Sequence, residues 1–399
     1  MIQKILKDSD RYFFIGTTIL SVKVVLVIAA YLLNGVQFNA FSQYYYTASL
    51  ILLFASFGFD FPFARVGFRV EVLSGLLFVH TILASFILYF GGGNTQNLST
   101  TFSFIVYSFF TALGGIVSFR MLFKGDYRRY FVIIVLQTLL LFGGLLFYRY
   151  TNRNLSWVIP ITASIWGLTT VYLFNEKGNA PSVSIKEFYS ASISSFIINS
   201  AVSLGLLADK YVATHYFTLE TANAYTFAWG VTAPLFYIGN FIERVLYSYS
   251  SLNKKKIYSM AIILHAALLL LYFVLVIELM TGYTRLLPGF VQLPIFKDIF
   301  WKMFSVYSIF TLLHFALNAF LFKLVPFAVQ KLIAGIYLGW VVTAGAFALF
   351  FFNEIKGSYN VVLIAMLVYI YVLLGIKGGV LLFVYRGKKG LLKRGEEWN

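Results

Sequence analysis

The sequence predicts an all-α polytopic membrane protein with twelve transmembrane helices, arranged as two parallel six-helix repeats around a central cavity. Hydrophobic residues make up 60% of the 399 residues, and charged residues make up only 12%. Apolar runs of about 20 residues, the length that crosses a bilayer as a helix, recur along the whole chain. The connections between these runs are short, so no soluble domain is expected.

The net charge is +16, which in a soluble chain would suggest a nucleic-acid partner. Here the basic residues fall in short loops between apolar spans, where membrane orientation and contact with anionic phospholipids account for them. Nucleic acid is therefore not an expected partner. The chain has no cysteine, which excludes disulfides and thiolate chemistry. The first span is too long for the core of a signal peptide and is expected to remain uncleaved.

The apolar spans follow one another at 12–33, 41–59, 72–90, 102–123, 130–148, 157–174, 190–208, 222–242, 257–279, 301–322, 330–352 and 359–385. The polar stretch from Asn175 to Lys186 divides them into two sets of six. We therefore expect an N-terminal lobe at 1–174, a cytoplasmic linker at 175–189 and a C-terminal lobe with a basic tail at 190–399. Two such halves have the same orientation in the membrane, as in transporters built from parallel repeats.

Basic residues are distributed unevenly between the two sides of the membrane. The amino terminus, the even-numbered loops and the carboxyl tail contain 22 Lys and Arg residues, whereas the odd-numbered loops and their flanks contain seven. Lys and Arg are enriched in cytoplasmic loops. Both termini are therefore predicted to be cytoplasmic.

The first span carries Lys23 near its middle, on a narrow polar stripe with Gly16, Ala30 and Asn34. At about 1.5 Å per residue the ammonium lies roughly 16 Å from either end of the apolar run, too far for the side chain to reach water. A charge at that depth costs about 2.5–3.5 kcal/mol even on the lenient insertion scale. Lys23 is therefore interpreted as a substrate-binding cation facing a wet cavity. The alternative is a structural lysine that caps backbone carbonyls or lies in a tilted helix.

The seventh span carries a second polar stripe, which is the counterpart of the first if the halves are repeats. Its members are Ser192, Ser195, Asn199 and Ser203, and the same face continues toward Lys210. We interpret Ser195, Asn199, Ser203 and Lys210 as substrate-binding residues. The alternative is that the serines serve close helix packing.

Three arginines lie at the cytoplasmic ends of spans two, four and eight, and they are candidates to receive an anionic substrate first. They are Arg65, Arg120 and Arg244. Ordinary positive-inside orientation or phospholipid contact is the alternative for each. Pro234 interrupts the eighth span near its centre and is a candidate hinge, with a static kink as the alternative.

Three histidines, His80, His265 and His314, are scattered over three spans without the spacing of metal ligands. No metal, cofactor or catalytic residue is expected. His314 and Asn318 share one helix face, where they can form hydrogen bonds across the bundle.

Several short motifs resemble those of the polysaccharide-transport (Wzx-type) flippases, members of the superfamily that also contains the multidrug-and-toxin-extrusion transporters. Asp209-Lys210-Tyr211 is similar to that family's Asp-Arg/Lys-Tyr after the seventh helix. The run from Ala222 to Ala228 is similar to its A-x-x-Y-x-x-A opening of the eighth helix, and Gly58-Phe59-Asp60 leading to Arg65 is similar to the end of its second helix and the following basic loop.

The resemblance implies a flippase that moves an isoprenoid (undecaprenyl) diphosphate-linked oligosaccharide across the bacterial inner membrane by alternating access, for O-antigen, capsule or exopolysaccharide assembly. It implies polysaccharide assembly proteins as further partners. Elementary electrostatics agrees, because an unpaired ion in hydrocarbon costs tens of kcal/mol by Born estimates and a diphosphate needs a polar route.

Two other classes stay open. A cation-coupled multidrug exporter of the same superfamily usually needs a carboxylate inside the membrane, whereas the 15 acidic residues fall at the ends of the predicted spans or in loops. A membrane-embedded glycan polymerase or acyltransferase is less favoured, because the sequence shows neither a large outer loop nor a cluster of catalytic histidines. The protein is therefore predicted not to be an enzyme.

Overall fold

The structure is a computed structural model that describes residues 25–65, 68–91, 98–124, 126–151, 155–174, 184–236, 238–239, 254–282, 288–324 and 327–392. The helices are α1 (Val25–Leu32), α2 (Gly35–Ser56), α3 (Asp60–Arg65), α4 (Val70–Gly91), α5 (Leu98–Phe123), α6 (Tyr127–Thr151), α7 (Leu155–Leu173), α8 (Ile185–Tyr216), α9 (Leu219–Thr232), α10 (Lys254–Gly282), α11 (Pro294–Leu324), α12 (Phe327–Phe350), α13 (Phe352–Gly357) and α14 (Tyr359–Leu392). Each of the twelve predicted spans overlaps one of these helices, which confirms the predicted fold class.

Eight of the described helices are long and apolar enough to cross a membrane. Their outward faces carry large apolar side chains, and Leu349, Phe350 and Phe383 are among the most exposed. Such a surface is an aggregation hazard in water, whereas lipid tails solvate it as well as another helix does. The chain is therefore a multi-pass membrane protein.

In the first half, α5 lies at the centre and packs against α2, α4 and α7. It approaches α7 closely because each helix presents a glycine to the other. A Cβ atom on Gly114 would lie 2.7 Å from the Trp166 ring, and one on Gly167 would lie 2.8 Å from the Phe110 carbonyl oxygen. Small residues of this kind let membrane helices pack backbone to backbone.

In the second half, α11 packs against α9, α10 and α14, while α8 packs against α12 and α14. Tyrosine hydroxyls join several of these helices. The Tyr337 hydroxyl donates to the Leu373 carbonyl at 2.7 Å, and the Tyr371 hydroxyl donates to the Val306 carbonyl at 3.0 Å. Each bond satisfies a phenol that would otherwise be costly to bury in the membrane.

Helix caps correct two of the predicted boundaries. Asn34 and Gln37 form a reciprocal capping box, so α2 begins at Gly35 rather than at residue 41. Ser184 and Glu187 form a second box, so α8 begins at Ile185, inside the predicted linker at 175–189. The same helix continues to Tyr216, past the predicted end at residue 208. Prediction by apolar runs alone truncated α8 at both ends because its first and last turns are polar.

Candidate functional site

The side chain of Lys210 lies in the interior of the second half, where α8, α9 and α11 meet. Its Nζ atom lies 2.9 Å from Asp209 Oδ2 and donates a hydrogen bond of 2.9 Å to the Tyr307 hydroxyl. The ammonium also lies 3.7 Å from the centre of the Trp229 ring. The exposed fraction of the Lys210 side chain is 0%. Lys210, predicted to bind substrate, is therefore a fully desolvated cation held by a carboxylate, a phenol and an indole.

Asp209 neutralises this cation. Its Oδ2 atom accepts a second hydrogen bond from the Tyr225 hydroxyl at 2.8 Å, whereas its Oδ1 atom is buried without a hydrogen-bond partner among the described residues. Removing one member of a buried ion pair typically costs about 3–5 kcal/mol, because the other charge is left uncompensated. The predicted seventh span ended at residue 208, just before Asp209, whereas α8 continues to Tyr216 and includes it.

Tyr307 connects the ion pair to α14 and to an aromatic wall. It accepts from Lys210 and donates to the Met366 sulfur at 3.1 Å. The rings of Trp229 and Phe236 contact the Tyr307 ring edge to face, with centroids 5.1 and 5.2 Å away. Aromatic faces attract a desolvated cation by about 2 kcal/mol or more. The wall therefore stabilises the ammonium without adding a second negative charge.

The polar stripe of α8 lies on the cytoplasmic side of Lys210 in the predicted orientation. Ser195 is buried, and Asn199 and Ser203 are half-buried. Asn199 Nδ2 donates to Ser195 Oγ at 3.3 Å. The stripe and Lys210 thus belong to one helix, although the predicted span ended at residue 208. Their role in substrate binding stays a prediction.

The two halves contact each other near the N-terminal end of α2, which is the outer end in the predicted orientation. Asn223 Nδ2 on α9 donates to the Gly35 carbonyl at 3.0 Å, and Gln43 Nε2 donates to the Thr214 carbonyl on α8 at 2.6 Å. Both contacts use side-chain amides and backbone carbonyls. We call them the outer contact.

A second contact lies at the other end of α2. The Phe57 ring stacks on the Phe196 ring of α8 with centroids 4.5 Å apart. Gly58 has φ +64°, and a Cβ atom there would lie 2.7 Å from the Phe196 backbone nitrogen, so only glycine fits. We call this aromatic and backbone contact the inner contact. The described residues therefore hold the halves together near both ends of α2. On α8, Lys210 lies between Phe196 of one contact and Thr214 of the other in the order of the chain.

Arg120, predicted to receive substrate, is buried and donates to the Phe63 carbonyl, with its guanidinium 5.1 Å from the Phe63 ring centre. It therefore fastens α3 to α5. Burial, and then the charge of Arg120, lower the pKa of Lys124, one helical turn further along the chain. Arg65 is the last residue of α3, and its role stays a prediction.

Two further predicted residues, Lys23 and Arg244, lie outside the described residues. Pro234 follows a break in helical structure, because α9 ends at Thr232 with Ala233 as its cap. Residues 234–236 resume helical conformation. The break occurs where the sequence predicts it, since proline lacks an N–H group. Hinge motion at Pro234 stays a prediction.

Three buried polar residues were not predicted from the sequence: Asp209 as a buried carboxylate, Tyr307 as the partner of Lys210, and Lys377 on α14. Lys377 has a fully buried side chain. Its position inside an apolar span is the same signal that identified Lys23. Among the described residues, no group of three or more His, Asp or Glu side chains has the arrangement of a metal site.

No protein-family model matches the chain, and no curated protein sequence matches it. Solved structures do match over nearly the whole length. A multidrug resistance transporter of the MATE family, within the MOP superfamily, is similar in its inward-facing conformation at 14% identity, covering 96% of both chains with a TM-score of 0.51. Its family is also represented in the outward-facing conformation at 14% identity, 92% of both chains and a TM-score of 0.50.

A third similar structure is a crystal structure of MATE in the straight conformation, at 14% identity, covering 92% of this chain and 94% of that chain with a TM-score of 0.55. Identities at this level show the fold alone. The chain therefore has the MATE-like fold of two six-helix halves, and the solved proteins that share this fold are transporters.

Proposed function

We propose that the protein is a flippase that moves an isoprenoid diphosphate-linked oligosaccharide across the membrane. The observation that carries this proposal is Lys210, a fully buried cation enclosed by helices of a transporter fold. A diphosphate needs a positive partner wherever water is removed, since an unpaired ion in hydrocarbon costs tens of kcal/mol by Born estimates. Lys210 supplies that partner in the interior of the second half.

In the described conformation the Lys210 ammonium forms an ion pair with the Asp209 carboxylate. Substrate binding therefore exchanges one anion for another, with a phosphate oxygen replacing the carboxylate at the ammonium. The exchange avoids leaving Lys210 uncompensated, which would cost several kcal/mol. It also makes release reversible, because the Asp209 carboxylate takes the cation back when the substrate leaves.

Access to Lys210 requires that the halves separate at one contact at a time. Opening the inner contact, at Phe57 and Gly58, would admit the lipid-linked substrate, and opening the outer contact, at Gln43 and Asn223, would release it. This is alternating access with α2 and α8 as the moving boundary. The setting we propose is a bacterial inner membrane with both termini in the cytoplasm, and anionic phospholipids and polysaccharide assembly proteins as partners.

The experiment that tests this function compares two double variants in proteoliposomes supplied with lipid-linked oligosaccharide. Asp209→Asn/Lys210→Met removes the buried pair, while Asp298→Asn/Lys302→Met makes the same changes in an exposed pair on α11. The first variant should lose transport and the second should keep it. Equal activity of both variants would show that the buried cation is not used, and no oligosaccharide transport by the unmodified protein would refute the function itself.

Voltage gives an independent check on the charge of the substrate. A head group with about two negative charges gains about 4.6 kcal/mol per 100 mV when it moves outward across an inside-negative membrane. Transport should therefore speed up when the cytoplasmic-equivalent side is made negative. Indifference to the sign and size of the potential would contradict net movement of a negatively charged group.

Asp209 also supports a second candidate, a cation-coupled multidrug exporter. It provides the buried carboxylate that the sequence analysis did not find, and similar solved structures are described as multidrug resistance transporters. For this function a cationic drug competes with Lys210 for Asp209. Asp209→Asn alone would then abolish drug transport, and drug efflux without oligosaccharide transport would favour the exporter.

A further inference from the structure

A second buried lysine lies in the C-terminal half, away from the pair at Lys210. Lys377 on α14 is fully buried, and its Nζ atom lies 3.5 Å from Nδ1 of His314 on α11. An ammonium has donors only, so in this contact the imidazole is the acceptor and its Nδ1 atom carries no proton. The contact joins two helices through an imidazole, the side chain whose charge changes near neutral pH when water surrounds it.

Aromatic neighbours fix the imidazole in place. The ring stacks on Phe310 with centroids 5.0 Å apart and meets the Phe315 ring edge to face at 5.1 Å. Both phenylalanines belong to the same helix as His314. The ring therefore stays aimed at α14 without help from the partner helix.

The contact shares a helix face with the candidate substrate site. Tyr307 and His314 are seven residues apart on α11, which places them on one face about 10.5 Å apart along the axis. Lys210 contacts the first and Lys377 the second. Two buried ammonium groups thus contact one face of α11, two helical turns apart.

Protonation of His314 changes this contact completely. A proton taken from water forms an N–H bond at Nδ1, and the hydrogen bond from Lys377 is lost. Two positive charges would then stand 3.5 Å apart in a site that water does not reach, where like charges repel far more strongly than in water. The packed contact therefore resists protonation, and a proton binds the form in which α11 and α14 have separated and water reaches His314.

Other titratable groups occur on the elements packed against α11 and α14. Two of them, Tyr337 on α12 and Tyr272 on α10, donate to backbone carbonyls. The other ionisable residues on these elements whose side chains the structure describes are Lys186, Glu187, Tyr189, Asp209, Lys210, Tyr211, His215 and Tyr216 on α8, Glu220 and Tyr225 on α9, His265 and Glu278 on α10, Lys297, Asp298, Lys302 and Tyr307 on α11, Lys331 on α12, Glu354 and Lys356 on α13, and Tyr359, Tyr369 and Tyr371 on α14. Of these, Asp209 and Lys210 belong to the pair at Tyr307.

We propose that the His314–Lys377 pair is a proton-binding site whose protonation loosens the contact between α11 and α14. The role of this site in a transport cycle rests on the proposed function, whereas proton binding and helix loosening do not. Acidification separates the two helices at this point, and the separation spreads along α11 to Tyr307 and the cation beside it. Proton binding thereby favours release of whatever Lys210 holds.

The test compares His314→Asn with the unmodified protein. Asparagine places its oxygen near the position of Nδ1, so it still accepts from Lys377 but takes no proton. His80→Gln is the matched control, because His80 on α4 contacts the Tyr189 hydroxyl through Nε2, which the glutamine oxygen replaces. Amide hydrogen exchange of substrate-free protein is measured at about pH 6 and pH 8, the range in which histidine titrates, after correction for intrinsic exchange rates.

Exchange around His314 and Lys377 should be about fourfold faster at the lower pH in the unmodified protein and in His80→Gln, because an imidazole in water, with a pKa near 6.5, binds a proton at pH 6 and hardly at pH 8. In His314→Asn the exchange should be equal at both pH values. An unmodified protein without a pH difference, or His314→Asn with the full difference, would overturn the proposal. Oligosaccharide transport measured in parallel should lose its pH dependence in His314→Asn. No transport at any pH together with an intact exchange response would count against the proposed function and not against the proton site.

Discussion

The buried pair at Lys210 makes a quantitative prediction about stability. Lys210→Met removes the ammonium and leaves Asp209 with one hydrogen bond, from Tyr225. The loss should be about 3–5 kcal/mol, the usual cost of stranding one charge of a buried ion pair. The cation–π contact with Trp229, at 3.7 Å, disappears with it. Methionine fills most of the lysine volume, so the electrostatic loss is separated from a packing loss.

Asp209→Asn/Lys210→Met should recover most of that stability, because no charge is then buried. The exposed pair of Asp298 and Lys302 provides the control. Lys302→Met should cost less than about 1 kcal/mol, since solvent already screens that pair. The difference between the stability losses of Lys210→Met and Lys302→Met therefore measures the effect of burying the charged pair.

Thermal melting of the purified protein in one detergent measures these differences. At about 2–4 °C per kcal/mol for a half of roughly 200 residues, Lys210→Met should lower Tm by about 6–20 °C. The Lys302→Met variant should melt close to the unmodified protein. If Lys210→Met also melted within a degree or two of it, or if the double variant were as unstable as the single one, then the pair would not be the desolvated unit described.

Three further predictions concern the remaining sites. Gly58→Ala should cost about 1–3 kcal/mol and open the inner contact, because φ is +64° and the added Cβ meets the Phe196 backbone. The chain has no cysteine, so faster labelling of a single cysteine introduced by Phe54→Cys reports the opening. Gly75 has open space around it, so Gly75→Ala should not speed up the labelling. Arg120→Met should lower the stability by about 1.5–3 kcal/mol, because the hydrogen bond to the Phe63 carbonyl is lost. Arg149 is exposed, so Arg149→Met should not lower Tm. If Arg120→Met reduced transport without changing Tm, Arg120 would instead be a substrate-binding residue. Lys23→Ala should keep membrane abundance but reduce glycan export, with Lys23→Arg partly active and Lys23→Glu the least active, and a stable, fully active Lys23→Glu variant would remove Lys23 from the route.

Much of the fold could be predicted from the sequence, because long apolar runs identify membrane helices. The helix ends were less predictable, since side-chain caps rather than hydropathy set them. Ser184 and Glu187 start α8 within a stretch that reads as a polar linker, and its last turns extend past Asp209. One misplaced boundary therefore put a buried carboxylate outside the predicted helix.

Only some residues of the candidate site could be predicted from the sequence. Lys210 could be found because it continues a stripe of small polar residues on one helix. Tyr307 could not, because tyrosine is common in this chain and nothing in its local pattern shows which residue lies opposite. The pairing of Lys377 with His314 likewise depends on the register between α11 and α14, which sequence periodicity does not set. Contacts between distant segments are the information that the fold adds.

The unlike chemistry of the two contacts along α2 has a thermodynamic consequence. Separating Asn223 and Gln43 from backbone carbonyls exchanges protein hydrogen bonds for bonds to water, at little change in heat capacity. Separating Phe57 from Phe196 exposes aromatic surface, which raises the heat capacity. The hydrophobic effect that opposes this separation weakens on cooling. If the halves separate at one contact at a time, as proposed, the balance between the two open forms should shift with temperature. Cold then favours the form in which Phe57 and Phe196 are apart.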